Sequence, residues 1–452
     1  MAESRTSLTL AQIDRRNYYA NLFEGALFIA SLGILSVQTV LPAMVVRLGG
    51  SNLMVGALSV IFYMGASLPQ IFAARFSATL PWKKPWAVLA GMFQRVFVLF
   101  MALVILIFGG SHPELALPLF MVVYALAQIS AGISAPGWFD FYAKITSLHR
   151  RGRLSGLRNS VGGVGAFLAG ILFTLFLGWF AFPTNYGLAL LVAFLLQLAS
   201  LLLFFRLIEV EPSAIDPPRK TFAYLKELPG ILKGDPAFRR FMAAAIVATP
   251  GMMPVAFFTA YALKTFSAGE SVVGLFTLIM VAFQVLSALV SGFLADRFGN
   301  KVVLVVSSTA LFCASLLALL APTVGVFALV FAFVGINLGP EVMARLNISV
   351  EFCPVEKRST YVGLMNTLLA PFYLAALAGG AIADLFGYEV LFAVGMLFAG
   401  ASAVLMIFTV RDPRWATSEQ EPVPEPVEIH PGPDGSETQS NSRSNNEESQ
   451  PG

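Results

Sequence analysis

Long apolar stretches follow one another along most of the chain, and short polar breaks separate them. A helix of about 20 apolar residues crosses the hydrocarbon core of a bilayer, which is about 30 Å thick. Each stretch is therefore predicted to be a membrane-spanning helix, and the whole to be an all-α membrane protein with about twelve transmembrane helices. The predicted spans are 20–46, 52–74, 86–108, 114–136, 158–180, 186–207, 238–263, 270–295, 300–321, 323–347, 360–384 and 386–410.

The longer polar stretches divide the chain into four parts. Residues 1–208 and 238–412 each hold six predicted spans, so we expect two six-helix halves. Residues 209–237 form a predicted polar linker between them. Residues 413–452 are rich in Pro, Glu, Ser, Asn and Gln, and such a composition cannot bury enough apolar surface to fold. We expect that tail to be disordered.

The two halves also share a sequence pattern. Residues 151–159 read Arg-Gly-Arg-Leu-Ser-Gly-Leu-Arg-Asn, and residues 358–366 read Arg-Ser-Thr-Tyr-Val-Gly-Leu-Met-Asn. An arginine followed by Gly-Leu-x-Asn thus recurs at one offset, near the start of the fifth and of the eleventh span. The repeat predicts parallel halves related by an axis along the membrane normal.

Charge is scarce and unevenly placed. The chain is 57% hydrophobic and 12% charged, with a mean hydropathy of +0.76, whereas about 25% of the residues of soluble domains are charged. Basic residues gather in the breaks after even-numbered spans, and the other breaks hold essentially Arg47 and Lys264. The positive-inside rule then puts both termini, the linker and the tail in the cytoplasm, with a bacterial inner (plasma) membrane as the expected location. Since each basic patch is a short loop pinned to the bilayer, no nucleic-acid partner is expected.

The loop between the eighth and ninth spans has a distinctive spacing. It contains Gly292, Asp296, Arg297, Gly299 and Lys301 in the pattern Gly-x-x-x-Asp-Arg-x-Gly-x-Lys. The first glycine allows close helix packing, the second permits a tight turn, and the aspartate offers an acceptor to nearby cations. Together with the basic loops and the six-plus-six plan, the pattern resembles the signature loop of the major facilitator superfamily of secondary transporters. The resemblance covers nearly the whole chain apart from the tail.

The resemblance implies that this loop is a latch that holds the cytoplasmic side closed by engaging the other half. Asp296 is then expected to face the start of the fifth span, near Arg151, Arg153 and Arg158. The alternative is an ordinary turn with a surface ion pair.

The equivalent loop of the first half lacks the acid. Aligned through the Val-Gly pairs that start the second and eighth spans, it has Ala74, Ala78 and Thr79 at the first glycine, the acid and the arginine, and it keeps only Lys83. Arg358, at the start of the eleventh span, then has no carboxylate partner from that loop. We expect a one-sided latch, which makes the inward-open state easier to reach.

Four ionisable residues lie inside the predicted spans: Glu24, Arg95, Glu341 and Arg345. Each costs at least about 2.5 to 3.5 kcal/mol at membrane depth, so each is a candidate for substrate binding or proton coupling. The resemblance puts spans one, four, seven and ten along the central path, which favours Glu24 and Glu341. Glu341 and Arg345 share a helix face and could couple proton uptake to rocking; a static ion pair is the alternative. The Gly339-Pro340 pair before them predicts a kink.

The other candidates have ordinary explanations as well. Glu24 could reach water or pair with a loop cation, and Arg95 could be a packed hydrogen-bonding residue. Gln38, Gln128 and Asn337 could bond a solute or merely bond across helices. Gln128 also stands where drug and proton antiporters of the superfamily carry an arginine, so that narrower signature is incomplete.

No nucleotide-binding loop, metal-ligand cluster or nucleophile with a base is recognisable in the sequence. Cys313 and Cys353 lie in or beside apolar runs without metal-ligand partners nearby, as expected for buried thiols. We therefore expect no enzymatic activity, no cofactor and no bound metal, and a transport cycle that draws on an ion or solute gradient.

The leading hypothesis is proton-linked export of a lipophilic or amphipathic compound by alternating access, because the cavity helices are mostly apolar. One alternative is proton-linked uptake of a small metabolite, favoured if Glu341 and Arg345 bind a zwitterion. Another is a membrane sensor or scaffold that kept the fold and lost transport. The expected partners are a small-molecule solute, protons and the lipid bilayer, and the expected state is a monomer.

Overall fold

The computed structural model describes residues 9–213, 230–266, 269, 271–353 and 358–412, and all regular elements within these ranges are helices. Most of the predicted linker and the whole predicted tail lie outside the described residues. Spans 1 to 6 are Leu10–Leu32 with Val40–Arg47, Asn52–Ala78, Lys84–Phe108, Pro113–Ile145, Leu148–Trp179 and Thr184–Arg206. Spans 7 to 12 are Pro236–Gly251 with Val255–Thr265, Ser271–Phe298, Asn300–Leu320, Val324–Phe327 with Leu329–Leu338 and Glu341–Glu351, Arg358–Leu369 with Ala375–Phe386, and Tyr388–Thr409.

Eleven of these spans are long and apolar enough to cross a membrane. Span 1 is not among them, because its longer helix keeps Arg15, Arg16 and Glu24 together. It nevertheless occupies the position of the first crossing in the chain order. The fold is therefore the predicted all-α plan of about twelve spans.

Helix ends differ from the sequence estimate where helices continue beyond the apolar stretch. Span 1 begins at Leu10 rather than at residue 20, and Thr9 caps it by accepting a hydrogen bond from the Gln12 backbone N–H. Span 5 begins at Leu148 rather than at residue 158, so Arg151 already lies on the helix. Hydropathy predicts where the chain enters the membrane, but a helix can continue beyond that point because its backbone hydrogen bonds also form in water.

Three spans are broken at proline. Span 7 is interrupted between Gly251 and Val255, next to Pro254, and span 10 between Leu338 and Glu341, at the Gly-Pro pair where a kink was expected. Span 11 passes through a 3-10 segment, Ala370–Leu374. Proline removes a backbone donor and clashes with the preceding turn, so the helix cannot continue through it undisturbed.

Helix packing repeats between the halves. In the first half, span 1 packs on span 6, span 2 on span 4, and span 3 on spans 4 and 6. In the second half the same neighbours recur six spans later: 7 on 12, 8 on 10, and 9 on 10 and 12. This repetition confirms the predicted plan of two parallel six-helix halves.

The halves meet through spans 2 and 11 and through spans 5 and 8. Glycines allow the approach: a Cβ at Gly56 would overlap the Ala376 carbonyl oxygen, and a Cβ at Gly274 would overlap Thr174. Small residues let helix backbones come close, and dispersion contacts over that short distance hold membrane helices together.

One end of the bundle, here called the basic end, carries the loops after even-numbered spans; the other is called the opposite end. Polar contacts between the halves gather towards the opposite end. The Asn52 side-chain amide donates to Asp384 Oδ1 at 2.8 Å, and the Tyr388 hydroxyl donates to Asn52 Oδ1 at 2.5 Å. The Thr277 hydroxyl lies 2.8 Å from that of Thr39. Asn52 is buried in this contact.

Spans 5 and 8 separate towards the basic end. A Cβ at Gly170 would touch Leu278, and one at Gly163, two turns further along the same helix face, would press on Val285. Two more turns bring Gly156 on span 5 and Gly292 on span 8, and a Cβ at either position meets nothing within 4 Å. Spans 5 and 8 are therefore in contact towards the opposite end and apart at the basic end.

Candidate functional site

The break in span 10 positions an ion pair in the second half. Glu341 is the first residue of its helix, directly after Pro340. Gly339 lies against the backbone of span 8 at Gln284, where any Cβ would overlap. Glu341 Oε1 accepts a hydrogen bond from Arg345 Nη1 at 3.2 Å, and each side chain keeps 15% of its surface exposed. The four-residue spacing thus brings the two side chains together, as the sequence predicted.

Two tyrosines that sequence reasoning missed complete this site. Arg345 lies within hydrogen-bonding reach of the Tyr373 side chain. The Tyr373 ring stacks on the Tyr63 ring, with centroids 4.7 Å apart and planes 9° from parallel. Tyr63 belongs to span 2 and Tyr373 to the 3-10 segment of span 11, so the ion pair is connected to the other half through two stacked rings. The sequence contained one signal for this segment. Pro371 interrupts the helix, and Tyr373 follows it two residues later.

Two neighbouring cavities adjoin this group, and both are lined by Thr249 and Met252 of span 7. The first lies between the halves, and the second lies within the second half. The first is lined by Gln38, Ser59, Tyr63, Phe372 and Tyr373 among others, and the second by Ser307, Asn337, Glu341 and Arg345 among others.

The three predicted amide candidates separate in the structure. Gln38 lines the cavity between the halves, and its backbone carbonyl accepts a hydrogen bond from Thr259 at 3.1 Å. Asn337 lines the second cavity and donates to the Ser307 carbonyl at 3.0 Å. Gln128 instead packs beside Gly65 of span 2 and is not among the residues lining either cavity.

Glu24 lies in a buried charge cluster inside the first half. Glu24 Oε2 is 3.0 Å from Arg158 Nη2, and the Ser200 hydroxyl donates to Glu24 Oε1 at 3.3 Å. Arg158 also donates to Asn21 and lies 4.7 Å from the centre of the Trp138 ring. Glu24 is 3% exposed. Its partner is therefore Arg158, which the sequence placed at the start of the fifth span, and not water.

Arg95 belongs to the edge of the same cluster. It donates to the backbone carbonyls of Gln197 and Gly91, both at 2.8 Å, and to the Ser200 hydroxyl at 3.2 Å. These bonds hold span 3 to span 6. The structure thus places Arg95 among packed hydrogen-bonding residues, which was the ordinary explanation for it.

The signature loop is anchored within its own half. Gly299 has a φ of +86°, and a Cβ there would overlap the Asp412 carboxylate. Lys301 donates to the Ile407 carbonyl at 2.9 Å. Asp296 and Arg297 are exposed. The loop therefore packs against the end of span 12. Among the described side chains, no hydrogen bond or ion pair joins Asp296 to Arg151 or Arg158.

The predicted latch partners are placed differently from expectation. Arg158 is held inside the first half by Glu24. Arg151 donates to the Ala143 carbonyl at 2.6 Å, and Arg153 is exposed. The side chain of Arg358 lies outside the described part of the structure. Meeting Asp296 requires the basic end to close, since spans 5 and 8 are apart there.

The first half obtains its missing acid from another segment. Glu209, three residues beyond span 6, accepts hydrogen bonds from the backbone N–H groups of Lys83 and Lys84, both at 3.0 Å, and pairs with Lys144 at 2.9 Å. Its side chain is only 4% exposed. The alignment of the two loops could not reveal an acid supplied from beyond the end of span 6.

Within the described residues, no group of three or more His, Cys, Asp or Glu side chains is close enough to hold a metal ion. Cys313 and Cys353 are each half-buried, rather than buried as the sequence suggested.

Comparison with known proteins supports the family. Residues 240–435 match the family model described as Major Facilitator Superfamily. A stretch of 141 residues is 28% identical to the multidrug transporter AQR1 of Candida glabrata, covering 31% of this chain and 24% of that protein. The chain thus matches about a quarter of the length of this curated relative.

Solved structures share the fold over most of the chain. A POT family transporter in complex with a thioalcohol-conjugated peptide has a TM-score of 0.67 at 12% identity, over 90% of this chain and 97% of that one. A variant of the nucleoside transporter NupG has a TM-score of 0.65 at 14% identity, over 87% and 98%. A D-xylose-proton symporter has a TM-score of 0.63 at 14% identity, over 88% and 98%. At these identities the likeness establishes the fold alone. The sequence of residues 240–435, a little under half of the chain, is similar to the Major Facilitator Superfamily model.

Proposed function

We propose that the protein is a secondary active transporter that moves a small amphipathic solute by alternating access, with protons as the coupling ion. The observation that carries this proposal is the separation of spans 5 and 8 at the basic end, combined with close contact at the opposite end. With the basic end in the cytoplasm, as the positive-inside rule predicts, this arrangement is an inward-facing state.

The solute site of this proposal is the pair of cavities beside Glu341 and Arg345. Residues of both halves line the first cavity, so rocking of the halves changes its shape. Arg345 is linked to Tyr373, which stacks on Tyr63 of the other half. Parting of the halves at the opposite end would therefore move the cation that neutralises Glu341 and change the proton affinity of that carboxylate. This linkage offers a route from conformation to proton uptake.

Two directions of transport have support. Export of a lipophilic or amphipathic compound is favoured by the aromatic and apolar lining of the cavity and by the match to a protein named as a multidrug transporter. Uptake of a small metabolite is favoured by the ion pair, which offers both signs of charge to a polar solute. A sensor or scaffold without transport would keep one conformation.

Paired spin labels can test alternating access. We suggest labels at Gly156→Cys with Gly292→Cys for the basic end, and at Gly178→Cys with Ser271→Cys for the opposite end, after replacing both natural cysteines by serine. All four positions are exposed, and a Cβ at each of the three glycines meets nothing within 4 Å. Electron-spin distance measurements in lipid nanodiscs at pH 5.5 and 7.5 should show a second population in which the basic-end distance shortens as the opposite-end distance lengthens.

A label pair within one half is the matched control. Arg75→Cys with Gly156→Cys joins two exposed positions of the first half, and its distance should stay constant because each half moves as a body. If neither end changes with pH or with added solutes, the transport proposal fails and the sensor or scaffold alternative takes its place.

A further inference from the structure

The cavity within the second half offers hydrogen-bonding atoms that nothing in the described structure uses. Asn337 and Ser307 line this cavity and are 3% and 1% exposed. The Asn337 side-chain oxygen and the Ser307 hydroxyl have no hydrogen-bond partner among the described residues. The Asn337 amide nitrogen already donates to a backbone carbonyl, which fixes the orientation of the amide. The cavity therefore presents a free acceptor, and a buried acceptor without a donor is costly.

The same cavity contains both signs of charge. Glu341 and Arg345 are each 15% exposed and line it together. Arginine stays protonated at any working pH, while the glutamate can gain or lose a proton. A solute bearing a single charge would leave a net charge in a desolvated site, which is unfavourable. A solute with one ammonium and one carboxylate keeps the total neutral.

The neighbouring cavity suits the apolar part of such a solute. Tyr63 and Tyr373 present stacked rings there, with Phe372 and Met252 beside them. Aromatic rings and a thioether pack well against a planar or branched apolar group.

From these contacts we infer that the solute is a small zwitterion with an apolar body, whose carboxylate binds Arg345 and whose ammonium binds Glu341 and the Asn337 side-chain oxygen. The apolar body occupies the cavity between Tyr63 and Phe372. This inference rests on the proposed transport function and specifies its substrate class.

Protons compete with this solute. The ammonium needs an ionised Glu341, so protonation of Glu341 would leave the ammonium and Arg345 as two positive charges against one carboxylate. The groups facing Glu341 are Arg345 on its own helix, Tyr63 from span 2 and Tyr373 from span 11; spans 7, 9 and 12 contribute only uncharged residues to the lining of the cavity. Competition of a proton and an ammonium for one carboxylate allows the site to exchange one for the other.

Three probes that share a phenyl ring and differ in their charged groups test whether the site requires both charges. Phenylalanine carries both charges, 3-phenylpropanoate only the carboxylate, and 2-phenylethylammonium only the cation. Binding of each to the purified full-length protein would be measured by calorimetry at pH 5.5 and 7.5. Phenylalanine should bind at least about tenfold more tightly than either single-charge probe at pH 7.5. Its affinity should be lower at pH 5.5 than at pH 7.5, because a protonated Glu341 offers the ammonium no negative charge.

Substitutions test which residue binds the carboxylate and which binds the ammonium of the probes. Arg345→Gln should weaken phenylalanine and 3-phenylpropanoate and spare 2-phenylethylammonium. Glu341→Gln should weaken phenylalanine, spare 3-phenylpropanoate and abolish the pH dependence, and Asn337→Ala should weaken both ammonium probes. Glu389→Gln, an exposed acid of span 12 outside both cavities, is the matched control and should change nothing. A purely structural role would lower thermal stability without selecting among the probes.

The inference is overturned if a single-charge probe binds as tightly as phenylalanine, if phenylalanine binds more tightly at pH 5.5, or if none of the three binds. Its failure is distinguishable from failure of the transport proposal, because the spin-label distances report alternating access without any of these probes.

Discussion

At the scale of single residues, small side chains make room for buried charge. A Cβ at Gly25 of span 1 would overlap the Arg158 guanidinium. Its absence lets Arg158 reach Glu24 and stack on Trp138 inside the first half. A buried ion pair is tolerated only when its geometry is good and its remaining donors are satisfied, here by Asn21. The sequence flagged the two charges, but only the structure shows that they meet.

Gly25→Ala should therefore destabilise the protein. The added methyl must displace a buried guanidinium, and breaking such a pair costs about 3 kcal/mol. For a chain of this size we expect the thermal transition in detergent to fall by about 3 °C. Gly156→Ala is the control: it also replaces a helical glycine, but its Cβ meets nothing within 4 Å. An equal loss in both variants would contradict the role of this contact.

At the scale of helices, close approach of spans 2 and 11 closes the opposite end. Gly56 lies against the Ala376 carbonyl, and a Cβ at Gly380 would press on the Asn52 carbonyl oxygen at 2.7 Å. Asn52 then bonds Asp384 and Tyr388. The breaks in spans 7, 10 and 11 lie near this interface and place the polar groups of the site beside it. The Gly339-Pro340 pair indicated the break in span 10, whereas Pro69, Pro118 and Pro136 lie inside continuous helices. Which helix packs against each face was visible only in the structure.

Gly56→Ala should open the opposite end. The methyl meets backbone, which cannot move aside, so spans 2 and 11 must part. The spin-label pair at residues 178 and 271 should then show a larger population at long distance without solute. Gly292→Ala adds the same methyl on span 8, where a Cβ meets nothing within 4 Å, and should leave that population unchanged. An unaltered distribution in Gly56→Ala would show that this contact does not hold the end closed.

At the scale of the whole molecule, an aspartate at each end differs in its contacts with the other half. Asp384 at the opposite end is bonded across the halves, while Asp296 at the basic end is exposed. The family resemblance implies that Asp296 acts when the basic end closes. The structure, open there, leaves that latch a prediction, whereas it shows that Arg158, one of its expected partners, already has a partner.

Asparagine substitutions at these acids should shift the conformational equilibrium in opposite directions. Asp296→Asn weakens a contact made only when the basic end is closed, so it should reduce the population with a short 156 to 292 distance. Asp384→Asn weakens the contact present here and should increase that population. Both changes are isosteric and serve as controls for each other. Shifts of the same sign would contradict the assignment of the two acids to opposite ends.

Local chemistry in the sequence determined the membrane-spanning plan, the break of span 10 at Pro340 and the pairing of Glu341 with Arg345. Each depends on residues close together in the chain: transfer of about 20 residues into hydrocarbon, a missing backbone donor, or a four-residue helical spacing. Tertiary structure alone decided that Tyr63 stacks on Tyr373 and that Arg158 forms an ion pair with Glu24. It also decided that Glu209 accepts hydrogen bonds from the first-half loop. Those contacts join distant spans whose apolar faces are chemically alike, so the sequence of any one span does not specify its partner.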